Sequence, residues 1–225
     1  MRPYLIVLAL LFGALLTGSS QAQTAPSQAQ RDWRTAIRQT PTGAHIIGNP
    51  AAKVKLVEYL SYTCPHCAAF VAESKPELLD GMVRRGSVSL EVRHAVRDGL
   101  DLSAAMLVRC TGPANFVAAH NAVFANQEAM LAKAQAYRPA EGASQAAQLA
   151  GLADASGVTA LVRPRLKTAP QACLAATADR AKLVAMAEAA FAKIQGTPSF
   201  EVNGTLVPGN DWASLKPRLL AAGAR

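Results

Sequence analysis

The sequence has little of what marks a nucleic-acid-binding protein or a small disulfide-stapled scaffold. It has 23 Lys and Arg against 15 Asp and Glu, a formal net charge of +8, but these residues form no dense basic block and do not alternate with aromatic residues. Nucleic-acid binding is therefore not supported, and the positive charge is that of a solvated surface. The chain has four cysteines, no internal repeat and, at 225 residues, enough length to bury a core of its own.

The beginning of the chain has the pattern of an export signal. Arg2 supplies a positive start, residues 4–16 are largely apolar, and Ser20-Gln21-Ala22 has the small-x-small pattern of a cleavage site. A membrane anchor is the alternative, but the uncharged stretch is short for a span and ends in polar residues. We therefore expect a cleaved signal peptide over 1–22, a mature chain that begins near Gln23, and a bacterial periplasm as the destination.

The first part of the mature chain combines a stem with the start of an α/β domain. Residues 23–43 are rich in Gln, Ala, Ser, Thr and Pro, which favours a flexible stem with at most a short helix at 33–38. Over 44–99 the pattern predicts, in order, an edge strand at 44–47, a mostly apolar strand at 54–62, a helix from 68 to 80, broken or kinked by Pro76 and ending at Gly81, and a strand from Val88. This order is typical of an α/β layer structure.

The second half of the chain begins with a change in composition. Residues 100–177 are rich in Ala and Leu and are interrupted by Gly and Pro, which predicts a helical insertion. Residues 178–225 then return to the α/β pattern, with a helix up to about Ile194, a strand at 199–202, a hairpin turn at Asn203-Gly204 and a strand at 205–207. A last helix is predicted to start near Ser214, because proline is tolerated only in the first turn of a helix and this start places Pro217 there.

The motif Cys64-Pro65-His66-Cys67 is the centre of the predicted chemistry. It stands where a strand feeds a helix, so the Cys64 sulfur lies at the helix N-terminus, where free N–H groups and the dipole favour a thiolate. Cys64 is therefore the predicted nucleophile and Cys67, on the same helical face, the buried resolving thiol. His66 adds positive or dipolar stabilisation to the thiolate, and Pro65 suits the first helical turn.

Metal binding is the main alternative for such a motif. A zinc site needs two further ligands at metal spacing, and neither Cys110 nor Cys173 is followed by a second C-x-x-C or a nearby histidine. A copper carrier that uses Cys64, His66 and Cys67 is a non-enzymatic alternative, because soft thiolates favour Cu(I). Metal titration of the reduced protein separates a carrier from an enzyme. We predict no metal and no cofactor.

Glu58 is the second informative residue, since it lies in the middle of the apolar strand at 54–62. An ionised carboxylate there is costly, so a buried Glu58 should have a raised pKa and should be able to carry the proton of Cys67. The alternative is a Glu58 that faces water at a bulge or a strand edge.

Thr197-Pro198 is the third element. A proline at the start of a strand, after Gly196 and Thr197, is a candidate for a cis peptide bond in a tight turn, although most such bonds are trans.

Together these residues resemble the DsbA-like branch of the thioredoxin superfamily. The resemblance rests on the strand at 54–62, Cys64-Pro65-His66-Cys67, the helical insertion, and the segment 196–204, and it covers the chain from about Ala44 onward. It implies an α/β thioredoxin fold with an inserted helical domain.

The resemblance also implies roles for single residues. Cys64 would form a mixed disulfide with the substrate, Glu58 would assist Cys67, and a cis-proline loop at Thr197-Pro198 would face the disulfide and bind the substrate backbone. One residue departs from the enterobacterial oxidases, which have Val before the proline; Thr, as in Thr197, occurs in isomerases and in other DsbA-like branches.

The two remaining cysteines bracket most of the helical insertion. A Cys110–Cys173 disulfide would join the two ends of the insertion and resembles the second disulfide of some alphaproteobacterial DsbA-like proteins, while two buried free thiols are the alternative. For His45, His94 and His120 we favour a structural role, with His94 packed and hydrogen-bonded, because the sequence shows no convergent partners for them.

The expected function is that of a periplasmic dithiol oxidase, which introduces disulfide bonds into exported proteins through Cys64 and Cys67. By resemblance, its partners would be reduced exported proteins and a membrane quinone reductase of the DsbB kind. Isomerase or reductase activity of the same fold is the enzymatic alternative, favoured by Thr197.

Overall fold

A mixed β-sheet forms the centre of the protein. The computed structural model describes residues 31–225; the predicted signal peptide and residues 23–30 of the predicted stem lie outside this range. The strands lie in the order β1-β2-β4-β3-β5-β6, with β3 and β4 parallel and the other neighbouring pairs antiparallel. They are β1 (Ile37–Gln39), β2 (His45–Gly48), β3 (Val54–Leu60), β4 (Val88–His94), β5 (Ser199–Val202) and β6 (Thr205–Val207).

The segment before Ala44 differs from the flexible stem that composition predicts. Trp33–Thr35 form a 3₁₀ turn capped by Asp32, and β1 pairs with β2 so that Ile37 lies opposite Ile47. β2 is therefore an internal strand and β1 is the edge strand. With three residues, β1 is too short to show an alternating pattern in the sequence. The strand is held by backbone pairing with β2 and by its one apolar side chain, Ile37, which packs against the core.

Helices cover both faces of the sheet. The helices are α1 (Pro65–Ser74), α2 (Gly99–Cys110), α3 (Pro113–Ala125), α4 (Gln127–Ala134), α5 (Gln145–Ser156), α6 (Val158–Val162), α7 (Pro170–Ala175), α8 (Thr177–Phe191) and α9 (Trp212–Ala221). On one face Val57 and Tyr59 of β3 pack against Ala190 of α8. On the other face Glu58 and Val92 share a cavity wall with residues of α1 and α3. No helix in this part of the chain is long and apolar enough to cross a membrane.

The predictions that rest on Pro76 and Pro217 differ in how well they match the structure. α1 ends at Ser74, two residues before Pro76, and the chain continues as a π-helical segment, Leu78–Val83. The break at Pro76 is confirmed, whereas a helix end at Gly81 is wrong because the π-helical segment runs through that residue. α9 begins at Trp212 with Asp211 as its cap, earlier than Ser214, so Pro217 lies inside the helix.

A disulfide bond fastens the helical segment between β4 and α8. Cys110 is the last residue of α2 and Cys173 lies in α7; their sulfurs are bonded and their Cα atoms are 6.0 Å apart. Of the two alternatives left open by the sequence, the structure has the disulfide. Residues 31–225 form one compact unit, so the helical segment is packed onto the sheet domain and is not a separate body.

Three histidines lie together beneath the sheet. His45 of β2 stacks on Phe116 with ring centroids 3.8 Å apart, and His94 and His120 also contact that ring. All three are buried, as a structural role requires. The expectation for His94 is wrong in one respect, since neither of its ring nitrogens has a hydrogen-bond partner among the described residues.

Candidate active site

Cys64 lies at the N-terminus of α1, directly after the turn that follows β3. It is the N-cap residue with extended backbone angles, and its carbonyl accepts the N–H groups of Cys67 and Ala68, which closes the first turn. Pro65 occupies the first helical position, where a missing N–H costs no helical hydrogen bond. The strand-to-helix placement predicted from the sequence is the one observed.

The two thiols of the motif have opposite acid strength. The pKa of Cys64 is lowered to about 5, first by a hydrogen bond from the Cys67 thiol, and further by Thr197 and by the N–H groups of Cys67 and His66, against the opposing effect of burial. The pKa of Cys67 is raised far above its ordinary value, first by burial and then by its hydrogen bond to Cys64. In the reduced pair at neutral pH, Cys64 is therefore a thiolate and Cys67 is a protonated thiol.

His66 contributes differently from the sequence expectation. Its side chain is exposed, and the contact that lowers the pKa of Cys64 is made by its backbone N–H. The helix N-terminus thus provides stabilisation that the sequence ascribes in part to the imidazole.

The loop before β5 faces Cys64. The Thr197–Pro198 peptide bond is cis, and the Cys64 sulfur lies 3.1 Å from the carbonyl oxygen of Thr197, to which the protonated form of Cys64 donates a hydrogen bond. The Thr197 side chain also contributes to the lowered pKa of Cys64. Residues separated by more than 130 positions are thus in contact at the thiol.

Glu58 lies beneath the motif on β3, paired with Val92 on one side and Phe200 on the other. It is 2% exposed, which excludes the water-facing alternative. Burial raises the pKa of Glu58 to about 8, and a negative charge on Glu58 raises the pKa of Cys67. A carboxyl group that is protonated at neutral pH is therefore placed close to the buried thiol.

Three polar residues that the sequence does not single out hold the turn before Cys64. The Gln127 amide donates to the carbonyl oxygens of Tyr62 and Cys64, both at 2.9 Å. The buried Asp101 carboxylate accepts the Tyr62 N–H at 2.8 Å, and Arg97 donates to the Thr63 carbonyl oxygen at 2.6 Å. These residues come from α4, α2 and the loop before α2, so no local sequence pattern connects them with the motif.

The two cysteine pairs differ in their bonding. Cys64 and Cys67 are free thiols, whereas Cys110 and Cys173 are bonded to each other and supply no ligand to the first pair. Over residues 31–225 no three His, Cys, Asp or Glu side chains are grouped so that they would hold a metal ion.

Fold and site together define a protein of the thioredoxin type, and comparison with known proteins agrees. A family model described as thioredoxin matches residues 39–219, so the chain belongs to the thioredoxin family. Within it the architecture is the DsbA-like form with a helical insertion. The crystal structure of protein-disulfide isomerase from Novosphingobium aromaticivorans has a TM-score of 0.72 and 35% identity, over 79% of this chain and 96% of that one.

Two further relatives have lower similarity or coverage. Wolbachia pipientis alpha-DsbA1 has a TM-score of 0.62 and 21% identity over 79% of this chain and 89% of its own, a likeness of fold. A Rickettsia prowazekii protein named "Putative protein-disulfide oxidoreductase" is 34% identical over 160 residues, which are 71% of this chain and 54% of that protein. The chain spans about half the length, or less, of the curated relatives that it matches.

Proposed function

We propose that this protein is a thiol:disulfide oxidoreductase that transfers its Cys64–Cys67 disulfide to dithiol substrates. The observation that carries the proposal is the low pKa of Cys64, about 5, beside a Cys67 thiol of raised pKa. A stabilised thiolate favours the reduced pair over the disulfide, so the disulfide form is a strong oxidant.

The reaction follows from the two sulfurs. A substrate thiolate attacks Cys64, the Cys64–Cys67 bond breaks, and its electron pair leaves on Cys67, which then takes up a proton from the nearby Glu58. The second substrate thiolate attacks the substrate sulfur of the mixed disulfide and releases Cys64 as a thiolate. The substrate is oxidised by two electrons and the enzyme pair is reduced by two. Thr197 and Pro198 present the loop that faces the substrate at Cys64.

The proposal includes the compartment in which the protein acts and the partners with which it reacts. The signal-like residues 1–22 support export to a periplasm, where reduced exported proteins would be the substrates. An enzyme that is reduced in each turnover needs an electron acceptor, for which a membrane quinone reductase of the DsbB kind is the candidate implied by the family resemblance.

An isomerase is the second candidate. It is favoured by Thr197, which stands where the enterobacterial oxidases have Val, and by the name of the Novosphingobium aromaticivorans protein, a protein-disulfide isomerase of 35% identity.

Two substrates separate these candidates. The oxidised protein is mixed with a reduced two-cysteine peptide, and the reduced protein is mixed with a test protein that carries non-native disulfides. An oxidase forms the peptide disulfide in a single turnover and leaves the non-native disulfides largely unchanged; the reverse result would establish the isomerase. The Cys64→Ser variant should be inactive in both reactions.

A further inference from the structure

The turn that presents Cys64 has no repeating backbone structure of its own. β3 ends at Leu60 and α1 begins at Pro65, so residues 61–64 belong to neither element. The conformation of this turn therefore depends on contacts with the parts of the protein that surround it. Gln127, the first residue of α4, bonds to two carbonyl oxygens of the turn.

A single side-chain amide group spans the turn. The Nε2 atom of Gln127 carries two hydrogens and donates one hydrogen bond to the carbonyl oxygen of Tyr62 and one to that of Cys64, both at 2.9 Å. The Gln127 side chain is 5% exposed, so both bonds are shielded from water. The Cys64 carbonyl oxygen also accepts the N–H groups of Cys67 and Ala68, at the longer distances of 3.1 and 3.3 Å. Gln127 therefore supplies the shortest of the three hydrogen bonds to this oxygen.

The other side of the Tyr62 backbone is held from the same helical segment. Asp101 of α2 accepts the Tyr62 N–H at 2.8 Å, while Gln127 of α4 donates to the Tyr62 carbonyl oxygen. Both side chains are buried, and both belong to the helices between β4 and α8. The helical segment thus fixes the backbone through which the chain enters the motif.

The chemistry of Cys64 depends on how this backbone is set. Cys64 is the N-cap of α1 with φ −93° and ψ 115°, and an N-cap side chain with extended backbone accepts hydrogen bonds from the second and third helical residues. Pro65 has no N–H group, so the first-turn donors that act on the Cys64 sulfur are His66 and Cys67. Hydrogen bonds weaken steeply when donor and acceptor are misaligned, so a rotation of the Cys64 backbone would lose this stabilisation.

We propose that Gln127 is a positioning residue for the thiol exchange, because it holds the Cys64 backbone in the N-cap conformation that aims the His66 and Cys67 N–H groups at the Cys64 sulfur. The inference rests on the proposed function and deepens it, since it makes the helical segment a determinant of the reactivity of Cys64. Gln127 makes no hydrogen bond to the sulfur in the described structure and acts through the backbone.

The first test compares the pH dependence of thiol reactivity in the reduced wild type and in Gln127→Met. Methionine has a side chain of similar length but no N–H donor. A hydrogen bond contributes up to about tenfold to an equilibrium constant, so the Cys64 thiolate should become about tenfold less stable. The rate of alkylation by iodoacetamide, followed as a function of pH, should therefore rise at higher pH in Gln127→Met than in the wild type. Superimposable profiles would overturn the proposal.

The redox equilibrium of the pair against glutathione should change by the same factor. A less stable thiolate favours the disulfide, so Gln127→Met should be a weaker oxidant by about tenfold in the equilibrium constant at pH 7, or ~30 mV. Equal factors in the two measurements are the signature of an effect on the thiolate. A changed potential with an unchanged pH profile would place the effect in the disulfide form and would contradict the proposed role.

Met130→Ala is the matched control. Met130 lies about one turn further along α4, is 1% exposed and makes no hydrogen bond to the turn before Cys64 in the described structure. Its loss weakens the packing of α4 without removing a donor, so the variant should unfold at a lower urea concentration. Its alkylation profile and potential should be those of the wild type. Shifts as large as those of Gln127→Met would mean that the packing of α4, and not the amide of Gln127, sets the reactivity.

A second variant keeps the test open should Gln127→Met fail to fold. Gln127→Asn retains an amide at this position but withdraws it by one methylene from the two carbonyl oxygens. Its alkylation profile should also move to higher pH, and an unmoved profile would refute the positioning role.

The same measurements separate this inference from the function on which it rests. A wild-type potential as reducing as that of thioredoxin would overturn the proposed function. A strongly oxidising wild type that does not differ from the Gln127 variants would overturn the role of Gln127 alone.

Discussion

Cys64 and Cys67 lie one helical turn apart, yet their thiols are stabilised in opposite protonation states. Cys64 receives hydrogen bonds from Cys67 and from N–H groups at the start of α1, and all of these favour its thiolate. Cys67 is buried against β3 beside a carboxyl group, and both surroundings favour the thiol. In the proposed reaction, a single turn of helix therefore contains both the nucleophile, Cys64, and the thiol that takes up the proton, Cys67.

The acid strength of Cys64 predicts the pH dependence of its reactivity. In the reduced wild-type protein the rate of alkylation by iodoacetamide should rise with pH through an apparent pKa of about 5 and stay level above pH 6.5, because only the thiolate reacts. The rate is measured by mass spectrometry, and Cys64→Ser should lose this fast phase. An apparent pKa above 8 would show that neither the Cys67 hydrogen bond nor the helix N-terminus stabilises the thiolate.

The raised pKa of Glu58 should make the free energy of unfolding depend on pH. Its pKa is about 8 in the folded chain against 4.5 as a free side chain, so the unfolded state releases the proton at lower pH and is favoured increasingly between pH 4.5 and 8. Glu58→Gln should therefore be no more stable than the parent at pH 4 but more stable by about 4 kcal/mol at pH 8, as each pKa unit corresponds to ~1.4 kcal/mol. Urea unfolding measures both values.

The comparison is best made in a Cys64→Ser, Cys67→Ser background, which removes the titration of the redox pair. Glu73→Gln is the matched control, because Glu73 is an exposed carboxylate on α1. Equal effects of Glu58→Gln at pH 4 and pH 8 would mean that Glu58 is ionised in the folded protein.

At the scale of secondary structure, the elements with strong local signals are those that the sequence predicts. The hairpin at Asn203-Gly204 forms with positive φ at both residues, as expected for this dipeptide. A helix follows the C-x-x-C motif as predicted, but it begins at Pro65 and not at residue 68. Two features are not predicted. β1 depends on its pairing with β2, and α9 begins at Trp212, so that Pro217 lies inside the helix and not in its first turn. Local sequence specifies the hairpin and α1, whereas tertiary packing specifies β1 and the start of α9.

The disulfide between α2 and α7 predicts an effect on stability without an effect on chemistry. Cys110 and Cys173 are 63 residues apart, and closing a loop of that length removes chain entropy worth about 4 kcal/mol. The double variant Cys110→Ala, Cys173→Ala should lose about 2 to 4 kcal/mol in urea unfolding, allowing for residual structure in the unfolded chain. Its Cys64 pKa should be unchanged; a shifted pKa would show that the bond also shapes the active site.

For the whole molecule, the fold brings together residues from distant parts of the chain. Cys64, Cys67, Glu58 and Thr197-Pro198 can be predicted as a group because each lies in a recognisable local pattern next to a strand or a helix start. Gln127 and Asp101 cannot, because their places depend on how α2 and α4 pack against the turn after β3, and that packing has no signal in any short segment. The residues that orient the site are thus less predictable than those that react.

The most direct test of the proposed function is the redox equilibrium of the Cys64–Cys67 pair against glutathione. If the thiolate of Cys64 is stabilised as the structure indicates, the reduction potential should lie near that of a strong oxidant such as DsbA, about −120 mV, with the Cys110→Ala, Cys173→Ala variant giving the same value. A potential near that of thioredoxin, about −270 mV, would contradict the account and identify the protein as a reductant.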